Sequence, residues 1–173
     1  VDGMITVIRE NKTNPSVLTQ AIGCLRNLMA DTPAIKTSLI EKDIHVLFVQ
    51  TIRENMSAPN ISVLEVTLGA LRNLASEKAC KAPLREAGAI DEPVRILQEA
   101  TGGSDVAEES CGLLRNICAR DMTSTAHIGS LHGVSAILGA IKAHISNENL
   151  ISSAFGALRN LSVDDELDRK SVV

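Results

Sequence analysis

Residues 69–74 read "GALRNL", and the same six letters return at 156–161, with "GCLRNL" at 23–28 and "GLLRNI" at 112–117. The asparagines of these copies, Asn27, Asn73, Asn116 and Asn160, are separated by 46, 43 and 44 residues. A period of roughly 40–47 residues is that of two- or three-helix solenoid units, each of which buries its apolar face against the next.

Inside one period the apolar pattern is helical. In "SVLEVTLGALRNLA" at 62–75, Val63, Leu64, Val66, Leu68, Leu71 and Leu74 cover a wide face, as in a helix held between neighbours. A second amphipathic stretch, "DIHVLFVQTIREN" at 43–55, stops at "MSAPN", and "PAIKTSLIEK" at 33–42 forms a short first helix. The triplet recurs as "KAPLREAG", "AIDEPVRILQEA" and "DVAEESCGLLRNICA", then as "TAHIGSLHG", "VSAILGAIKAHI" and "NLISSAFGALRNLS".

Gly3, Asp43, Gly88 and Gly133 are expected at the first corner of each repeat, where a positive φ favours glycine and is tolerated by aspartate. Asn14-Pro15 and Pro59-Asn60 suit helix starts, and Ser62, Asp105 and Asn149 are candidate N-caps. The chain therefore divides into a partial repeat at 1–30 and repeats at 31–76, 77–119 and 120–163. Residues 164–173 read as the first helix of a further, truncated repeat, so the whole is expected to be a piece of a longer array.

These residues resemble the armadillo-repeat family, whose third helix typically reads A-x-x-A-L-x-N-L-A. "IGCLRNLMA", "LGALRNLAS", "CGLLRNICA" and "FGALRNLSV" supply that pattern across essentially the whole chain. Their flavour is closer to catenin, plakophilin and vacuolar armadillo proteins than to nuclear import adaptors. The resemblance implies an all-α, armadillo-type right-handed α-solenoid of three-helix repeats, with the third helices lining a concave groove. It also implies that Asn27, Asn73, Asn116 and Asn160 reach the backbone of an extended partner, since one amide satisfies a backbone donor and acceptor together.

Import adaptors usually carry tryptophan four residues before that asparagine. Here the position holds Gly23, Gly69, Gly112 and Gly156, and the chain has no tryptophan at all. The pockets that hold basic side chains of nuclear signals cannot form. These glycines shape the groove, either by close helix approach or by leaving room for a bulky partner side chain.

Four amide contacts at about 0.5–1.5 kcal/mol each fall short of the roughly 8 kcal/mol of micromolar binding. Charge is the obvious supplement. Arg26, Arg72, Arg115 and Arg159 immediately precede the asparagines, about 100° around the helix, and bidentate contacts would favour an acidic or phosphorylated segment. The alternative is internal: Glu65 and Glu108 stand seven residues before Arg72 and Arg115 on a similar face. The asparagines likewise have an internal alternative, a hydrogen bond to the neighbouring repeat.

Composition narrows the classes. A chain of 173 residues with 45% hydrophobic content buries a sizeable core, and a net charge of −4 argues against nucleic-acid binding. No apolar stretch is long enough to cross a membrane, and no signal peptide opens the chain. Cys24, Cys80, Cys111 and Cys118 lack metal-site spacing and read as reduced thiols, which places the chain in the cytoplasm, with nuclear or membrane-peripheral placement through a missing terminal anchor as further options.

His45, His127, His132 and His144 are scattered and no catalytic motif is present, so neither an enzyme nor a cofactor or metal is expected. The sequons at Asn11, Asn60 and Asn160 are read as chance. The leading expectation is a non-enzymatic scaffold for an extended protein segment, of unspecified oligomeric state. A regulator of a small GTPase that grips a folded partner, and a structural or cytoskeletal array, are the other two classes.

Overall fold

The computed structural model describes residues 1–162 with their side chains and traces its last helix to Lys170. Of the separate helix expected at 164–173, residues 164–170 continue α11 and 171–173 lie outside the described residues. Eleven α-helices follow in order: α1 (Asp2–Glu10), α2 (Pro15–Met29), α3 (Pro33–Glu41), α4 (Ile44–Met56), α5 (Ile61–Ala75), α6 (Lys81–Glu86), α7 (Asp91–Glu99), α8 (Gly103–Cys118), α9 (Met122–Ser130), α10 (Gly133–Ala143) and α11 (Glu148–Lys170). A 3₁₀ turn at Lys78–Cys80 leads into α6, and no strand occurs among the described residues. The architecture is an all-α solenoid.

Three stacks run through it. The third helices α2, α5, α8 and α11 pack each on the next, α4, α7 and α10 do the same as second helices, and the short α3, α6 and α9 fill the corners. The motif leucines drive the first stack: Leu25, Leu71, Leu114, Leu74 and Ile117 are fully buried. The pattern loosens at the outer rungs, where Leu28 is 39% exposed although it corresponds to buried Leu74. Only the inner third helices have a third helix on both sides here.

Ionic links run along the other stacks. Glu92, almost wholly buried on α7, accepts from Arg53 Nε of α4 at 2.6 Å and from Arg95 Nη2 at 2.7 Å. Arg85 of α6 donates to Asp121 Oδ2 and Ser124 Oγ at the start of α9, at 3.1 and 3.2 Å. Breaking either pair leaves a charge stranded at a repeat junction.

The corners differ in detail from expectation. Asp43 (φ 57°) and Gly88 (φ 91°) do adopt the left-handed conformation, but in the last repeat it falls on His132 (φ 58°), one residue before Gly133. Gly133 is needed for a different reason: a Cβ there would strike the Ile128 side chain and lie 2.9 Å from its carbonyl oxygen. Gly3 lies within the first turn of α1 and meets nothing.

The helix starts expected at Asn14-Pro15 and Pro59-Asn60 are found, whereas Ser62, Asp105 and Asn149 are not the caps. Asn14, Asn60 and Asn147 accept through Oδ1 from the backbone N–H three residues on, of Val17, Val63 and Leu150. Ser62 and Asn149 consequently lie inside α5 and α11, and Asp105 sits in the first turn of α8 after a left-handed Gly102.

Candidate functional site

A helix leaves the carbonyls of its last four residues without intrahelical partners. In α2, α5 and α8 the first of those four is the motif arginine. Its carbonyl is taken by the asparagine of the following third helix. Asn73 Nδ2 donates to Arg26 O at 2.9 Å, Asn116 Nδ2 to Arg72 O at 3.0 Å, and Asn160 Nδ2 to Arg115 O at 2.9 Å. Asn27, on the first of the four third helices, has no such partner among the described residues and is exposed.

The three amides thus cap the preceding helix and rivet adjacent repeats, which realises the internal alternative for their nitrogen. Each bond contributes about 0.5–1.5 kcal/mol, enough to offset the helix propensity that asparagine gives up to alanine. Each Oδ1 is left without a partner among the described residues, so the amide retains an acceptor.

The glycines explain themselves through the arginines. A Cβ on Gly69 would lie 2.5 Å from Cζ of Arg26, one on Gly112 would lie 2.8 Å from Cδ of Arg72, and one on Gly156 would collide with Cδ of Arg115. Each glycine is therefore a bed for the arginine of the preceding repeat. Neither room for a partner's side chain nor helix approach alone accounts for it. Gly23, with no third helix before it here, has only Val66 at 3.6 Å.

Where the arginines lead depends on the repeat. Arg26 Nη2 donates to Glu109 Oε1 at 2.7 Å and Arg72 Nη1 to Glu109 Oε2 at 3.0 Å, so one nearly buried carboxylate on α8 clips two earlier repeats together. The acids singled out in the sequence do not fill that role. Glu108 is one residue away from it, and Glu65 forms no ion pair among the described residues. Burial, followed by the charges of Asp105, Glu109 and Glu108, pushes the Glu65 carboxyl up against the opposing pull of Arg26.

At the other end, neither Arg115 nor Arg159 has an ion-pair partner among the described residues. They line an open recess of about 560 Å³ with Asn116, Asn160, Ser152 and Phe155. Phe155 is 57% exposed and offers an apolar contact beside the two cations. The arrangement can bind an anion and a neighbouring apolar group; it contains no nucleophile paired with a base.

Elsewhere the chemistry is sparse. His127 Nε2 lies 3.3 Å from Asp91, and His45 is buried with Nδ1 unpartnered. Among the described residues no group of three His, Cys, Asp or Glu could hold a metal, and no helix is long and apolar enough to cross a membrane. Cys24 is exposed, whereas Cys80, Cys111 and Cys118 are buried; desolvation pushes the Cys80 thiol up to about 11 and the Cys111 thiol to about 12.

Comparison of the sequence with family models and with curated proteins gives no match. Solved structures do match. An engineered protein superposes with a TM-score of 0.80 at 18% identity, covering 93% of this chain and 62% of its own. A designed armadillo repeat protein in complex with the peptide (KR)4 superposes at 0.78 and 21% identity, covering 91% of this chain and 62% of its own. The chain thus spans less than two thirds of either and shares their fold, an armadillo-like helical repeat.

Proposed function

We propose that this chain is a non-enzymatic protein-interaction scaffold, working in the cytoplasm, that holds an extended acidic or phosphorylated segment of a partner along α2, α5, α8 and α11. The observation that carries this reading is the recess at the end of that face, where Arg115 and Arg159 stand beside Asn116 and Asn160 with no acid paired to them among the described residues. A guanidinium without an internal carboxylate forms strong bidentate bonds to one supplied by a ligand. The acceptor atoms left on the amides would register the ligand's backbone N–H groups.

The designed armadillo neighbour, in complex with a basic peptide, supports the use of such a fold for extended peptides. The present face carries Arg115 and Arg159 at its open end, so the complementary ligand here is an acidic one.

The backbone and side-chain amide resonances of a ¹⁵N-labelled sample titrated with an acidic peptide provide the test. Shifts gathered on Asn73, Asn116 and Asn160 support the reading. Shifts confined to α4, α7 and α10 would place binding on the wrong face and end it.

A further inference from the structure

We infer that Glu109 divides the third-helix face into two charge zones, so that a carboxylate or phosphate of the bound segment is held only at the Arg115–Arg159 recess. This rests on reading that face as a partner groove. Three residues before the motif glycine, the four third helices carry Gln20, Val66, Glu109 and Ser153. Only one of these is an acid.

From that position Glu109 reaches the arginine one repeat back, Arg72, and the one two repeats back, Arg26. A carboxylate at 153 would by the same register meet Arg115; the chain has a buried serine there. Among the described residues Arg115 is thus the first motif arginine with no internal ion pair, and Arg159 follows it.

The first zone is more than neutralised. Glu65 lies close enough to Asp105, Glu108 and Glu109 for their charges to act on it, so a ligand carboxylate placed over Arg26 and Arg72 would meet paired cations among several acids. Over the second zone it would meet two guanidinium groups and the exposed ring of Phe155. Glu109 therefore acts as an internal stand-in for the ligand's acid, and it sets the register in which an acidic segment lies in the groove.

The test uses fluorescein-labelled octapeptides and anisotropy: (Asp-Glu)2(Gly-Ser)2, its phosphoserine analogue, (Lys-Arg)2(Gly-Ser)2 and (Gly-Ser)4. The acidic probe is expected to bind, and Arg115→Ala with Arg159→Ala should weaken it about tenfold or more. Glu109→Gln should tighten it several-fold by releasing Arg26 and Arg72. Adding Arg26→Ala and Arg72→Ala to that variant should return the affinity to within about twofold of the parent.

Ser153→Glu should pair with Arg115 and weaken binding, Arg159 being left out of its reach; circular dichroism verifies that each variant folds, and Glu109→Gln stands as the independent arm if Ser153→Glu does not. Tighter binding of the phosphoserine probe assigns the recess to phosphate, and equal binding assigns it to carboxylate. An unchanged affinity in Glu109→Gln, or in Arg115→Ala with Arg159→Ala, overturns the zoning while leaving the groove in place. Failure of all four probes to bind overturns both.

Discussion

The same glycine-to-alanine change should have opposite signs at two places in this fold. Gly139 sits exposed in α10, and a methyl group added there would meet nothing within 4 Å, so alanine should gain up to about 1 kcal/mol of helix propensity. Gly69 is buried in α5, and its methyl group would occupy the place of the Arg26 guanidinium. The propensity gain is the same, but the Arg26–Glu109 bond is lost. A hydrogen bond to a charged group contributes about 1.5–3 kcal/mol, less for an arginine that is about a third exposed, which leaves a net loss of about 1 kcal/mol.

Parallel thermal and urea unfolding should therefore show Gly139→Ala raising Tm by about 2–4 °C and Gly69→Ala lowering it by a similar amount. A double-mutant cycle sharpens the cause. In a Glu109→Gln background the charged bond is already weakened, so the penalty of Gly69→Ala should shrink by about half or more. If Gly69→Ala stabilises as much as Gly139→Ala, the arginine is not held over that glycine and the account of the motif fails.

Three further outcomes follow. Asn73→Ala with Asn116→Ala should lower stability by no more than about 2 kcal/mol, because two inter-repeat bonds are exchanged for better propensity, while peptide binding is lost; loss of the cooperative transition would contradict this. Burial holds the His45 pKa below its ordinary value, so the unfolded chain takes up a proton before the native one and stability should fall as pH drops below about 6.5. His45→Leu should flatten that fall, measured as urea midpoints between pH 7.5 and 5. Alkylation of native protein at pH 8 should mark Cys24 well before the buried Cys80 and Cys111, read by mass spectrometry against a denatured control.

The period and the motif made the fold legible, because four register-matched copies of a leucine face leave few ways to bury it. The asparagines, arginines and glycines were visible as a repeated trio, yet their mutual roles were not. Asn73 bonds to a residue 47 positions earlier, and Arg26 reaches an acid 83 positions later. Spacing along one helix points to Glu65 and Glu108, while the stagger between stacked helices selects Glu109. The same limit explains the caps: a side chain caps the N–H three residues on, so Asn60 rather than Ser62 starts α5. At the last corner, steric closeness to Ile128 claimed Gly133 and left the positive φ to His132.

The carbonyl-to-amide rivet has a bearing on how such arrays can be rebuilt. Each rung is written in two repeats at once: one supplies the arginine and its free carbonyl, the next supplies the glycine beneath the arginine and the amide that caps the carbonyl. Because every copy of the motif carries the same glycine, arginine and asparagine, a repeat moved to a new position re-forms the rung at both of its borders. What it cannot carry with it is the Glu109 clip, whose acid lies on α8 and whose two arginines lie on α5 and α2. Chimeras that keep α2, α5 and α8 together should tolerate exchange better than those that separate them.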